Sequence, residues 1–188
     1  MKKLKSIALA LVAFVSFATT AQTTKKVDAS KSTINWVGKK VTGSHEGTIT
    51  LKEGALIFKG KKVVGGNFTV DMTTINTTDL EGKGKANLDG HLKSDDFFGV
   101  EKFPTATLVF KSIGEKGNGV YAVTADLTIK GKTESIKFDL AVAANSATTT
   151  LKVDRTKYDI TYKSGNFFSD LGDKVIYDDF DLTVKLAF

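Results

Sequence analysis

The sequence predicts an all-β protein on three observations: runs in which apolar and polar residues alternate, turn signals between those runs, and no convincing long helix. Alternation is the strand period, because successive side chains point to opposite faces. The clearest run is Phe180, Leu182, Val184, Leu186 and Phe188 against Asp181, Thr183, Lys185 and Ala187. Ile136, Phe138, Leu140 and Val142 form a second, Tyr121, Val123, Ala125, Leu127 and Ile129 a third, and Phe68, Val70 and Met72 a fourth. Each presents one apolar and one wet face.

Further candidate strands are 33–41, 46–52, 54–59, 105–113 and 148–157. Turn residues separate the later ones: Lys116-Gly117-Asn118-Gly119, Lys130-Gly131-Lys132 and Ala144-Asn145-Ser146. Connections this short predict sequential antiparallel hairpins. About eight or nine such strands suit an up-and-down barrel or a two-sheet sandwich.

Residues 73–103 break the rhythm, being rich in Thr, Asp, Gly and Lys. A connection of that length carries short helical elements, a lid or function. Ser94 is expected to cap a helical turn over Asp95–Val100, with Asp95 and Asp96 in its first turn. A second irregular stretch, Tyr162–Asp179, contains Phe167-Phe168.

Residues 1–21 read as a cleaved export signal: Lys2, Lys3 and Lys5, then Ile7–Ala18 with only Ser16 polar, then Thr19-Thr20-Ala21. The stretch is shorter than the roughly 20 apolar residues a membrane-spanning helix needs. The mature domain is then 22–188, periplasmic or secreted, with no stable membrane insertion. Losing those three lysines takes 27 basic residues to 24 against 21 acidic ones, a net charge of +3 rather than +6. Basic and acidic residues are interspersed, which argues against nucleic acid as a partner. With no cysteine there is no disulfide, thiolate metal site or lipid-modified N-terminus.

Catalysis is poorly provided for. There are two separated histidines, and no GxSxG, phosphate loop or HExxH. Asp170, Asp173, Asp178, Asp179 and Asp181 match no calcium-loop spacing. No enzyme activity, metal or cofactor is expected.

Three stretches carry a family likeness: Gly90-His91-Leu92-Lys93-Ser94-Asp95-Asp96-Phe97-Phe98 followed by Phe103-Pro104-Thr105-Ala106; Leu127-Thr128-Ile129-Lys130-Gly131-Lys132-Thr133; and Asp154-Arg155-Thr156-Lys157-Tyr158 through Ser164-Gly165-Asn166-Phe167-Phe168. Together they resemble the YceI-like exported bacterial proteins, a polyisoprenoid-binding, lipocalin-like family. Val41-Thr42-Gly43-Ser44-His45-Glu46-Gly47 has the shape of that family's early His–Gly turn, whereas Gly99 stands where an acidic residue is expected. The resemblance implies a single lipocalin-like antiparallel barrel whose apolar interior takes up an isoprenoid or similar long-chain lipid, for transport, storage or envelope stress. The alternative is a solid barrel that acts through its surface as a stress or interaction protein. Exposed edges leave homodimerisation open.

The inward-facing residues expected to line such an interior are Trp36, Phe68, Val70, Phe97, Phe98, Phe110, Val123, Leu127, Phe138, Leu140, Val153, Phe167, Phe168, Phe180 and Val184. They can line a tunnel or plug it. The two adjacent aromatic pairs are candidates for an apolar lid. Head-group candidates are His45, His91 and Arg155, the only arginine. Arg155 would either grip a phosphate through its two-pronged guanidinium or close the barrel against Asp170, Asp173, Asp178 or Asp179. Burying ten methylenes contributes on the order of 8 kcal/mol before ordering costs, against roughly 0–1 kcal/mol for an exposed lysine–phosphate contact, so the tail sets affinity.

Overall fold

The computed structural model describes residues 21–188; residues 1–20, which hold nearly all of the expected export signal, lie outside the described part. Nine strands follow in order: β1 Gln22–Lys26, β2 Thr33–Lys40, β3 Gly43–Lys59, β4 Lys62–Thr77, β5 Thr105–Gly117, β6 Val120–Ile129, β7 Lys132–Val142, β8 Ser146–Asp154 and β9 Ile176–Ala187. Eight of them close into an antiparallel barrel in the order β3-β2-β9-β8-β7-β6-β5-β4, with β4 returning to β3. Strand β1 lies outside this ring and pairs with Ala55–Lys59 of β3. Closure removes the sandwich alternative and leaves few free edges.

The period-two residues point inward. In β6, Tyr121, Val123, Ala125, Leu127 and Ile129 are buried in turn. The β6–β7 hairpin turns on Lys130 and Gly131, both at positive φ (50° and 75°), which matches the twist of the flanking strands. The two segments expected at 46–52 and 54–59 are one strand, β3, whose register with β4 slips between Leu51 and Glu53. This bulge lets a 17-residue strand curl around the barrel instead of stopping.

Closure is uneven. Strands β7 and β8 pair only at Ala141–Thr148 and Val142–Ala147. Beyond those pairs Thr149 Oγ1 donates to the Asp139 carbonyl at 2.7 Å, and a short 3-10 turn at Arg155–Tyr158 packs against β7. The strand expected to run to residue 157 therefore ends at Asp154, whose carboxylate caps that turn.

The 73–103 connection also differs from expectation. Strand β4 continues to Thr77, and helix α1 spans Gly82–Lys93. Three glycines and the lack of a side-chain N-cap give α1 little helical signature. It is held instead by its contacts with β4. Asp89 accepts from the Thr77 N–H at 2.8 Å and pairs with Lys85 at 2.9 Å, while Lys85 Nζ also donates to Asn76 Oδ1 and the Thr77 carbonyl, each at 2.6 Å. Ser94 does not start a helix. It closes α1, donating Oγ to the His91 carbonyl at 2.8 Å, and Asp95–Phe98 follow as turns. Gly99 sits at φ +54°, so the departure from an acidic residue is conformational: a left-handed position favours glycine.

Candidate functional site: an apolar cavity in the barrel

The barrel is hollow along part of its axis. A cavity of about 200 Å³ runs between its walls, lined almost wholly by aliphatic and aromatic side chains. That is below the roughly 300–1,000 Å³ of a drug-sized pocket, which selects a slim occupant. Of its liners, Leu127 and Ile129 on β6 are buried, while Phe138 on β7 and Phe180, Leu182 and Val184 on β9 are half-buried.

The far end is shut. Phe58 and Phe188 meet at 5.9 Å between ring centroids, and Lys25 Nζ lies 5.3 and 4.9 Å from them while donating to the Ala144 carbonyl. At the near end α1 and the turns after it supply a cover: Leu92, Phe97 and Phe98 all line the cavity. Phe98 meets Phe180 edge-on at 6.3 Å. Phe97 packs on His91 and Tyr162, with centroids 4.9 and 5.5 Å away. The few polar liners, Lys39, Thr149, Arg155, Tyr177 and Asp179, gather along one side on β2, β8, β9 and the turn after β8.

Trp36, Phe68, Val70, Phe97, Phe98, Phe110, Leu127, Phe138, Leu140, Phe180 and Val184 line the cavity. Val123 and Val153 do not: at 2% and 1% exposure they are covered by core neighbours. Phe167 and Phe168 also lie elsewhere, exposed on a surface turn where both backbone amides donate to Ser164, so they form no lid. His45 and His91 are not among the lining residues. His45 Nδ1 lies 2.8 Å from Asp79 Oδ2, and His91 Nε2 3.1 Å from Asp96 Oδ2.

Arg155 reaches the cavity, but four of its five N–H groups are already bonded. Nε donates to the Tyr177 carbonyl, the two terminal nitrogens to Ile160 and Ile176, and Asp178 lies 3.5 Å away. Of the two roles weighed for it, closing the wall matches this geometry. Burial lowers its pKa, and Asp178 and Asp154 oppose that shift.

Leu182, read as inward-facing from its alternation, also lines the cavity, and so do Ile34 and Leu108, which share strand faces with Trp36 and Phe110. Leu92 carried no such signal, because α1 itself was not legible.

A closed antiparallel barrel around a slender apolar cavity defines the class of protein. The chain belongs to the YceI-like domain family, whose profile matches residues 26–188. A UPF0312 protein of Shewanella denitrificans is 38% identical over 84 residues, which is 45% of this chain and 42% of that protein. A UPF0312 protein of Staphylococcus aureus is 43% identical over 67 residues, 36% of each chain. The aligned stretches thus span less than half of these relatives' lengths. Among solved structures, Burkholderia cenocepacia BcnA superposes with a TM-score of 0.64 at 24% identity, covering 86% of this chain and 99% of BcnA. A polyisoprenoid binding domain from Saccharophagus degradans gives 0.58 at 17% identity, covering 86% and 95%. At these identities the likeness establishes the shared barrel.

Proposed function

We propose that this protein binds one long, slim apolar chain, an isoprenoid or similar lipid, inside its barrel, and carries or stores it after export from the cytoplasm. The observation that carries the reading is the cavity, whose wall offers almost no polar surface along its length. Water in such a space finds few partners, whereas a hydrocarbon chain gains about 0.8 kcal/mol per buried methylene. Family membership and the likeness to a polyisoprenoid binding domain support the same ligand class. The signal-like segment at residues 1–21 supports a periplasmic or secreted location.

The test is native mass spectrometry of the chain purified from its own host, before and after organic extraction. The reading expects a mass increment equal to one lipid, lost on extraction and restored by adding a polyprenol. A chain that carries no lipid and gains none from added polyprenol or fatty alcohol overturns it.

A further inference from the structure

Three aromatic liners of the cavity form one continuous band. The rings of Phe68 on β4 and Phe110 on β5 lie 5.6 Å apart between centroids, and those of Phe110 and Phe138 on β7 lie 5.9 Å apart. Two of these rings are backed by glycine. Gly54 is the β3 partner of Phe68, and a Cβ there would run into the Phe68 ring. Gly66 lies two residues before Phe68 on the same face of β4, and a Cβ there would sit 2.8 Å from the Phe110 ring. Phe110 and Phe138 meet over β6, where the partner of Phe110 is Ala125, small and fully buried.

The missing side chains let Phe68 and Phe110 lie back against the wall. With backbone behind it and the cavity in front, a displaced ring has only the cavity to move into. Nor can the rings retreat further to admit a wider guest, since a packed wall gives way only at a cost.

The band also meets a defined end of any amphiphile. Phe68 and Phe110 pack with Leu56, Phe58 and Tyr121 in the cluster that closes the far end. The charged liners gather elsewhere, at a bulge where Lys39 of β2 faces Tyr177, Asp178 and Asp179 of β9 and where Arg155 bonds the Tyr177 carbonyl. A polar head placed toward that bulge leaves the tail end against the rings.

We propose that the Phe68–Phe110–Phe138 band is the width gauge of the cavity, selecting a tail that stays an open chain over one that ends in a ring. The proposal rests on the lipid-binding reading above. An open chain can thread past the rings by adjusting its torsions, whereas a terminal ring must displace them.

The experiment titrates geranylgeraniol and all-trans-retinol, primary alcohols of equal carbon count whose tails end open and in a ring respectively. Binding is read by native mass spectrometry on the wild-type chain, Phe110→Leu, Gly66→Ala and the double variant, with folding confirmed by circular dichroism. Geranylgeraniol should bind the wild type at least about tenfold more tightly than retinol, and Phe110→Leu should shrink that ratio. Gly66→Ala should weaken geranylgeraniol binding about tenfold by driving Phe110 into the cavity, and adding Phe110→Leu should recover most of the loss.

Retinol that binds the wild type as tightly as geranylgeraniol, or a ratio unmoved by Phe110→Leu, overturns the gauge and leaves the apolar cavity standing. Wild-type affinity in Gly66→Ala, or a loss that Phe110→Leu does not recover, overturns it too. If Gly66→Ala does not fold, the ratio in Phe110→Leu decides alone. If neither alcohol binds the wild type, the lipid reading fails and the gauge with it.

Discussion

The Arg155 guanidinium donates Nε to the Tyr177 carbonyl at 3.1 Å, tying the turn after β8 to the bulge in β9. Its bonds to the Ile176 and Ile160 carbonyls join β9 to the segment that follows the turn. The residue with the strongest ligand-binding chemistry in the sequence is thus the pin of the barrel wall.

Replacing Arg155 by Ala should therefore cost about 3–5 kcal/mol of stability, because it strands buried acceptors and the Asp178 carboxylate. Arg155→Lys keeps the charge but not the fork, and should still lose about 2 kcal/mol. Urea unfolding measures both. Midpoints within error of wild type would show that the bulge is held by something else.

Helix α1 should come loose in acid. Burial pushes the Asp89 carboxyl up, but hydrogen bonds from Lys85 and the Thr77 amide outweigh it and hold the group below the usual carboxylate range. A depressed folded-state pKa contributes stability that is present above the unfolded value of about 3.9 and is lost as pH falls through the folded value. Hydrogen exchange over residues 82–93 should accelerate as pH drops below about 4, after correction for intrinsic rates. In Asp89→Asn the faster exchange should already be present at neutral pH. Unchanged protection in that variant would mean that the Asp89 contacts do not anchor the helix.

Gly47 is a point of close approach. A Cβ placed there would run into the Asn76 carbonyl oxygen and lie 2.5 Å from the Trp36 ring. Gly47→Ala should destabilise the protein by about 1–3 kcal/mol and shift the emission of Trp36, the only tryptophan, as its ring is displaced. Wild-type stability and an unchanged spectrum would contradict the packing described.

The Tyr158 hydroxyl is buried without a hydrogen-bond partner among the described residues, and burial first, then Glu134 and Asp154, pushes its pKa up to about 12. Tyr158→Phe should be neutral or stabilising by up to about 1 kcal/mol, since it removes a desolvated polar group and keeps the ring. A clear loss of stability in thermal unfolding would reveal a bond the hydroxyl does make.

Alternation alone was enough to place most of the barrel and most of its cavity wall, because inward residues on a closed sheet have little choice of environment. Phe138 and Val184 were legible for that reason. What stayed hidden depended on partners distant in sequence. Helix α1 exists through Lys85 and Asp89 against β4 rather than through propensity. Arg155 reads as inward from Leu151 and Val153, but only the bulge of β9 shows what it bonds. Phe167 and Phe168 lie in a turn, where a period says nothing about direction, and they point to solvent.

Trp36 lines the cavity, so its fluorescence reports directly on what enters. Titration with a long-chain alcohol brominated along its tail should quench that emission saturably at one ligand per chain, and a folded Phe138→Glu variant should abolish the quenching by placing a charge on the cavity wall. Quenching that never saturates, or that is unchanged in the variant, would contradict a chain held inside the barrel.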